Sequence, residues 1–135
     1  MYCRRPHKFW EDPTLWVDQR GHWHILSHCY VPHYNEGNDY VSGHLFSADG
    51  LTWSESSVQP YQHAVEYRDG STQNFSTIER PKLVFDDATG RPTHLFNGAS
   101  PRWPCEPCGG CTSCKVTAGT DWTYTIVREL AAGLS

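Results

Sequence analysis

The chain has no apolar run approaching the 18 residues a membrane-crossing helix requires, and its first residues, Met1-Tyr2-Cys3-Arg4-Arg5-Pro6, lack the apolar core of a signal peptide. Neither export nor anchoring is therefore expected from these residues, and no membrane partner. Basic residues do not dominate: 11 Lys and Arg stand against 15 Asp and Glu, with the signs scattered, so there is no basic stripe for nucleic acid. Methionine occurs once, and no convincing amphipathic helix can be drawn except a short stretch over 128–134. What is abundant points elsewhere. Six Trp and seven Tyr, with 11 Gly and 9 Pro, favour many short strands joined by turns. At 135 residues, 38% of them apolar, the chain is long enough to bury a core.

One stretch occurs twice. Glu11-Asp12-Pro13-Thr14-Leu15-Trp16-Val17-Asp18, followed by Gly21 and His24-Ile25-Leu26, returns as Glu79-Arg80-Pro81-Lys82-Leu83-Val84-Phe85-Asp86, followed by Gly90 and His94-Leu95-Phe96. The offset is 79 − 11 = 68 residues, with two extra residues in the second copy before its His. Trp53 and Trp122, each after a turn-like segment, repeat at 122 − 53 = 69. Two landmarks returning at nearly one period predict a repeat architecture.

Within the first copy, alternation predicts a strand from Trp10 to Val17, a turn at Asp18–Gly21 and a returning strand over 22–28. A third strand is predicted over 41–47, a turn at Asp49-Gly50, and a fourth strand opening at Thr52-Trp53-Ser54-Glu55. An outer strand follows at 64–67, before Asp69-Gly70. The second copy predicts strands over 81–85, 93–97, 115–117 and 122–127. The organisation read from this is an arm over 1–9, a first unit over 10–77, and a second unit over 78–135 that carries a cysteine-rich insertion at 104–114. The fold class is all-β, with antiparallel four-stranded sheets.

These motifs resemble the five-bladed β-propeller glycosidases of the clan containing glycoside hydrolase families 32, 43 and 68. The resemblance rests on Glu-Asp-Pro-x-Leu at 11–15, Ser-x-Asp-Gly-Leu-Thr-Trp at 47–53 and Glu-Arg-Pro-x-Leu at 79–83, and covers roughly residues 10–127. The 47–53 segment also looks like the Asp-box of sialidases, a device that stabilises a turn. The resemblance implies two blades of an incomplete propeller. Two blades cannot close a ring, so the expectation is a missing segment or completion by other copies. It also implies a carbohydrate partner, an extracellular setting, and hydrolysis by two carboxyl groups, one protonated and one ionised. By position, Asp12 would tune the site and Glu79 would be the general acid. The family's base has no counterpart upstream of Trp10, and Arg80 stands where family 43 often has Gly. Around this pair, Glu11, Trp10, His28, His44 and Arg80 are candidate substrate contacts, with Trp16 and Trp23 as further stacking faces.

Other readings compete. Repeated Glu11 and Glu79 are equally suited to a turn or ion pair that each unit needs, which describes a glycan- or protein-binding module without catalysis. His22, His24 and His28 share a strand face, a metal-site pattern, yet His24 repeats as His94, which argues for a structural task. Cys105, Cys108, Cys111 and Cys114 have successive C-x-x-C spacing, suited to disulfides, to a zinc knuckle or to an iron–sulfur cluster. A small metal-binding protein organised by that run is a third function. Cys3 and Cys29 are a further candidate disulfide, and Asn74-Phe75-Ser76 is a glycosylation sequon. Apart from zinc at the four-cysteine run, no cofactor is expected.

Overall fold

In the computed structural model, residues 9–30, 41–101 and 123–131 are described. They hold nine strands: β1 (Phe9–Val17), β2 (Trp23–Tyr30), β3 (Ser42–Ser47), β4 (Ser54–Glu55), β5 (Ala64–Glu66), β6 (Thr72–Asn74), β7 (Thr77–Phe85), β8 (Pro92–Ser100) and β9 (Tyr124–Glu129). All pairings are antiparallel, and there is no helix among the described residues. The strands form a four-stranded sheet β1-β2-β3-β4, a hairpin β5-β6 and a three-stranded sheet β7-β8-β9.

The repeated motif is a β-bulge. In β1 the pairing with β2 slips between Glu11 and Thr14, and in β7 the pairing with β8 slips at the matching place, between Glu79 and Lys82. The residue after each Glu has a left-handed backbone, φ 51° at Asp12 and 53° at Arg80, a conformation uncommon for side chains other than Gly and Asn. Pro13 and Pro81 follow, inside the strands. Proline has no N–H to give a ladder, and a bulge is one of the few interior places where none is required.

A bulge leaves a carbonyl without its ladder partner, and both copies satisfy it identically. The Ser27 hydroxyl donates to the Glu11 carbonyl at 2.5 Å, and the Asn97 amide donates to the Glu79 carbonyl at 3.2 Å. Both donors are 1% exposed. They are repeat equivalents on the returning strands, 97 − 27 = 70, once the two extra residues are counted. The turns repeat as well: the Asp18 carboxylate accepts from Arg20 and His22 N–H, and that of Asp86 from the N–H and hydroxyl of Thr89.

The two sheets pack through one face each. Leu26 and Trp16 of the first sheet meet Leu83, Leu95, Ala99 and Ile126 of the second, with Ile78, Tyr61, Val65 and Phe75 closing the core. Ile78 and Leu95, 0% and 2% exposed, are at its centre, where each such side chain contributes about 1.5–3 kcal/mol. Strands β1 and β7 lie against each other, joined by the Thr14 hydroxyl donating to the Pro81 carbonyl at 2.5 Å and by Gln19 donating to the Thr89 carbonyl.

Three details depart from the expected strand plan. The strand over 124–129 lies directly beside β8, as β3 lies beside β2, so it takes the place of a third strand instead of a fourth. Trp53 directly precedes β4, and its proposed counterpart Trp122 lies outside the described residues. The predicted strand at 115–117 lies outside the described residues, and Arg128 and Glu129 belong to β9 instead of opening a helix. By contrast, the turn at 47–53 does what an Asp-box does. The Asp49 carboxylate accepts from Leu51 and Thr52 N–H and from the Ser47 hydroxyl, and Trp53 Nε1 donates to the Gly50 carbonyl at 3.1 Å.

Candidate functional site

Because β1 and β7 meet side by side with matching bulges, equivalent residues face their own counterparts. Lys82 Nζ donates to the hydroxyl of Thr14, its equivalent, at 3.3 Å. Glu11 and Glu79, together with His28 from β2, place one ligand-type atom each within 4.8 Å of one another. His28 is opposite Glu11 in the β1–β2 register, and its Nε2 lies 3.7 Å from Glu11 Oε1. The next residues converge too: Arg80 Nε is 3.9 Å from Asp12 and its Nη1 is 3.5 Å from Glu79. One cluster thus holds three carboxylates, one imidazole and one guanidinium.

Its electrostatics differ from residue to residue. Burial first, then the charges of Asp12 and Glu79, push the Glu11 carboxyl above the usual carboxylate range, with Arg80 opposing. Burial pulls His28 below the usual imidazole value against the opposing charge of Asp12, favouring the neutral ring. In the core, Tyr61 is 4% exposed and its hydroxyl has no hydrogen-bond partner among the described residues. Burial raises the Tyr61 phenol; the Arg128 charge opposes this, and the Asp12 and Glu79 charges add to the rise. Arg128 lies over the Tyr61 ring, 6.0 Å from its centroid, and donates to the side-chain Oδ1 of Asn97 at 3.3 Å.

Of the residues the sequence nominates, Asp12, Glu79, Glu11, His28 and Arg80 come together. Trp10 is near in sequence but turned to packing: a Cβ added at Gly43 would fall 2.2 Å from its ring, so the indole lies flat on that glycine. His44 is engaged elsewhere. Its Nε2 lies 2.9 Å from His24 Nδ1, and both rings stack with Trp16, at centroid distances of 5.8 and 4.8 Å. Burial, then the neighbouring His24, lowers the pKa of His44 to about 4. His24 and its repeat equivalent His94 have different partners. His24 faces His44 and Asp18, whereas His94 Nδ1 lies 3.0 Å from the Thr93 hydroxyl. Of the other two histidines expected on one strand face, His28 is on β2 and joins the carboxylates, whereas His22 precedes β2, in the turn, 3.9 Å from Asp18.

Asn74 is exposed at the end of β6, between buried Phe75 and the hairpin partner Ala64. Cys29 is buried, 2% exposed, on β2. It is the single cysteine among the described residues, so the Cys3–Cys29 pairing and the Cys105, Cys108, Cys111 and Cys114 run lie outside them.

Ser27, Asn97 and Tyr61 are members of the site that residue chemistry alone did not single out. For Ser27 and Asn97 the signal is their shared place in the repeat; for Tyr61 there is none. No protein-family model, curated protein or solved structure matches the chain.

Proposed function

We propose that the chain is part of a carbohydrate-active β-propeller in which Glu11 and Glu79 are the working carboxylates of glycoside hydrolysis. The observation that carries this reading is their proximity combined with their unequal surroundings. Two carboxyl groups with oxygens within 4.8 Å are spaced like those of a retaining glycosidase, about 5–5.5 Å apart, and too close for the interposed water of an inverting one. Glu11, partly buried beside two like charges, keeps its proton to higher pH and is the acid; Glu79, ion-paired with Arg80, is the nucleophile.

The chemistry runs in two steps. Glu11 gives its proton to the glycosidic oxygen as the bond to the anomeric carbon breaks, and a Glu79 oxygen takes that carbon. Water, deprotonated by Glu11, then displaces Glu79 and releases the sugar. Asp12 keeps its sequence-assigned part as the neighbouring charge that tunes the acid. The acid role moves from Glu79 to Glu11.

Support for the propeller arrangement comes from bulged first strands that meet through equivalent residues, and from apolar side chains left on outward faces. Leu15 and Val17 on the first sheet and Val84 and Val127 on the second are 46–56% exposed. Further sheets, from another segment or other copies, would cover them. An extracellular setting, with disulfides and a glycan at Asn74, belongs to the same reading.

A screen of aryl glycosides tests it. Hydrolysis with retention, lost by at least ~10²-fold in both Glu11→Gln and Glu79→Gln, is the expected result. Hydrolysis that survives either substitution contradicts it.

One observation favours a second reading, a binding module without turnover. Arg80 reaches both Asp12 and Glu79, an arrangement that serves the bulges as well as a substrate. Glycan binding without hydrolysis, measured on an array, would select it.

A further inference from the structure

The atoms of Glu11, His28 and Glu79 are spaced for a shared ion more than for hydrogen bonds. His28 Nε2 and Glu11 Oε1, at 3.7 Å, are beyond hydrogen-bond length. A divalent ion bound at about 2.1 Å sets neighbouring ligand atoms roughly 3–3.4 Å apart, so the His28–Glu11 pair needs to draw in by a few tenths of an ångström and the wider pairs by as much as about 1.5 Å. The charge also fits. Three carboxylates, Glu11, Asp12 and Glu79, against one guanidinium, Arg80, leave two negative charges beside an imidazole. The backbone holds the donors in place, since each Glu is at a bulge whose carbonyl is fixed by a buried side chain, Ser27 or Asn97.

A second, independent observation points the same way. Tyr61 is 4% exposed, its hydroxyl has no hydrogen bond among the described residues, and Arg128 over its ring bonds Asn97, whose amide holds the Glu79 carbonyl. A hydrated cation between the carboxylates would bring it a partner.

We propose that Glu11, His28 and Glu79 form a binding site for a divalent transition-metal ion with mixed oxygen and nitrogen ligands, of which Mn²⁺ is the representative. This rests on the reading of Glu11 and Glu79 as one site and adds a ligand to it: an ion held there occupies the two carboxylates that hydrolysis would use. Two carboxylates and one imidazole suit Mn²⁺, whereas thiolates prefer softer ions. The Cys105–Cys114 run therefore does not confuse a Mn²⁺ measurement.

The test uses the full chain, stripped with chelator and titrated with Mn²⁺, with free ion followed by electron paramagnetic resonance and the His28 ring followed by NMR. Expected are one saturable site, selective broadening of the His28 ring signals, and affinity weakened at least ~10-fold in both His28→Gln and Glu11→Gln. Two variants are used because either alone could misfold, and circular dichroism checks each. No saturable binding by the wild type, or binding unchanged in the folded variants, overturns the proposal. Hydrolysis is read separately. Mn²⁺ binding without hydrolysis keeps the metal site and removes the glycosidase reading. Hydrolysis insensitive to Mn²⁺, with no saturable binding, does the reverse.

Discussion

Glu11 and Glu79, 68 residues apart in sequence and equivalent in the repeat, bring carboxylate oxygens within 4.8 Å of each other and of a His28 ring nitrogen. Like charges this close are unfavourable, and Glu11 bears the consequence. Its carboxyl is raised by burial and by Asp12 and Glu79, so the folded state holds that proton more tightly than the unfolded chain does. Stability is then lost as pH rises from the ordinary carboxylate range through the raised value. Glu11→Gln should remove that loss, and the melting temperature at neutral pH should be higher than that of wild type. A lower melting temperature would show that the charge at Glu11 is held by attraction instead.

Ser27 and Asn97 each satisfy a bulge carbonyl from within the core, and neither is replaceable by an apolar side chain without leaving that carbonyl unpaired. Ser27→Ala and Asn97→Ala should each cost about 1–3 kcal/mol in denaturant melts. Ser27→Asn, copying the second unit into the first, tests whether the two bulges are interchangeable; Asn is larger, and some loss from overpacking is expected.

His44 is half-buried between His24, Trp16 and Phe46, and burial, then His24, lowers its pKa to about 4. A folded-state value below the unfolded one means stability is present above about pH 6.5 and lost as pH falls toward about 4. The loss should be on the order of 1–3 kcal/mol, reduced by the ring's partial contact with solvent. His28, also lowered, acts in the same direction, while Glu11 acts against it. His44→Gln should flatten the acid limb of the stability profile measured by urea titration at each pH. An unchanged limb would assign it to His28 and to the carboxylates whose pKa is also lowered, Asp18, Asp49, Asp69 and Asp86.

Gly43 lies under the Trp10 indole, where a Cβ would sit 2.2 Å from the ring. Gly43→Ala should destabilise by about 1–3 kcal/mol through overpacking. The double variant with Trp10→Leu should recover part of that, because the clash is with the ring and not with backbone.

Much of this was legible in the repeat. The Glu-x-Pro-x-Leu motif placed two equivalent strands, and the Asp and Gly residues placed their turns, because turn chemistry is local. What was not legible was that the motif is a bulge: Asp12 and Arg80 both have left-handed φ, which Asp adopts more readily than most residues but which Arg does not announce. Sequence reading also treated the recurrence of Glu11 and Glu79 as a reason to doubt a site. A repeat that brings its copies face to face concentrates equivalent side chains, so the recurrence instead builds the cluster. Trp53 and Trp122 misled in the other direction. Trp122 lies outside the described residues, and only the pairing with β8 shows that β9 takes the third place and not the fourth.

The most direct test of the Glu11–Glu79 pairing is an NMR titration of the Glu11 side-chain carboxyl carbon, in wild type and in Glu79→Gln. The paired site predicts a Glu11 pKa above the ordinary carboxylate range in wild type. It predicts a fall in the variant that stops short of the ordinary value, because burial and Asp12 remain. A Glu11 that titrates normally, or one indifferent to Glu79, would mean that the two carboxylates do not share a site.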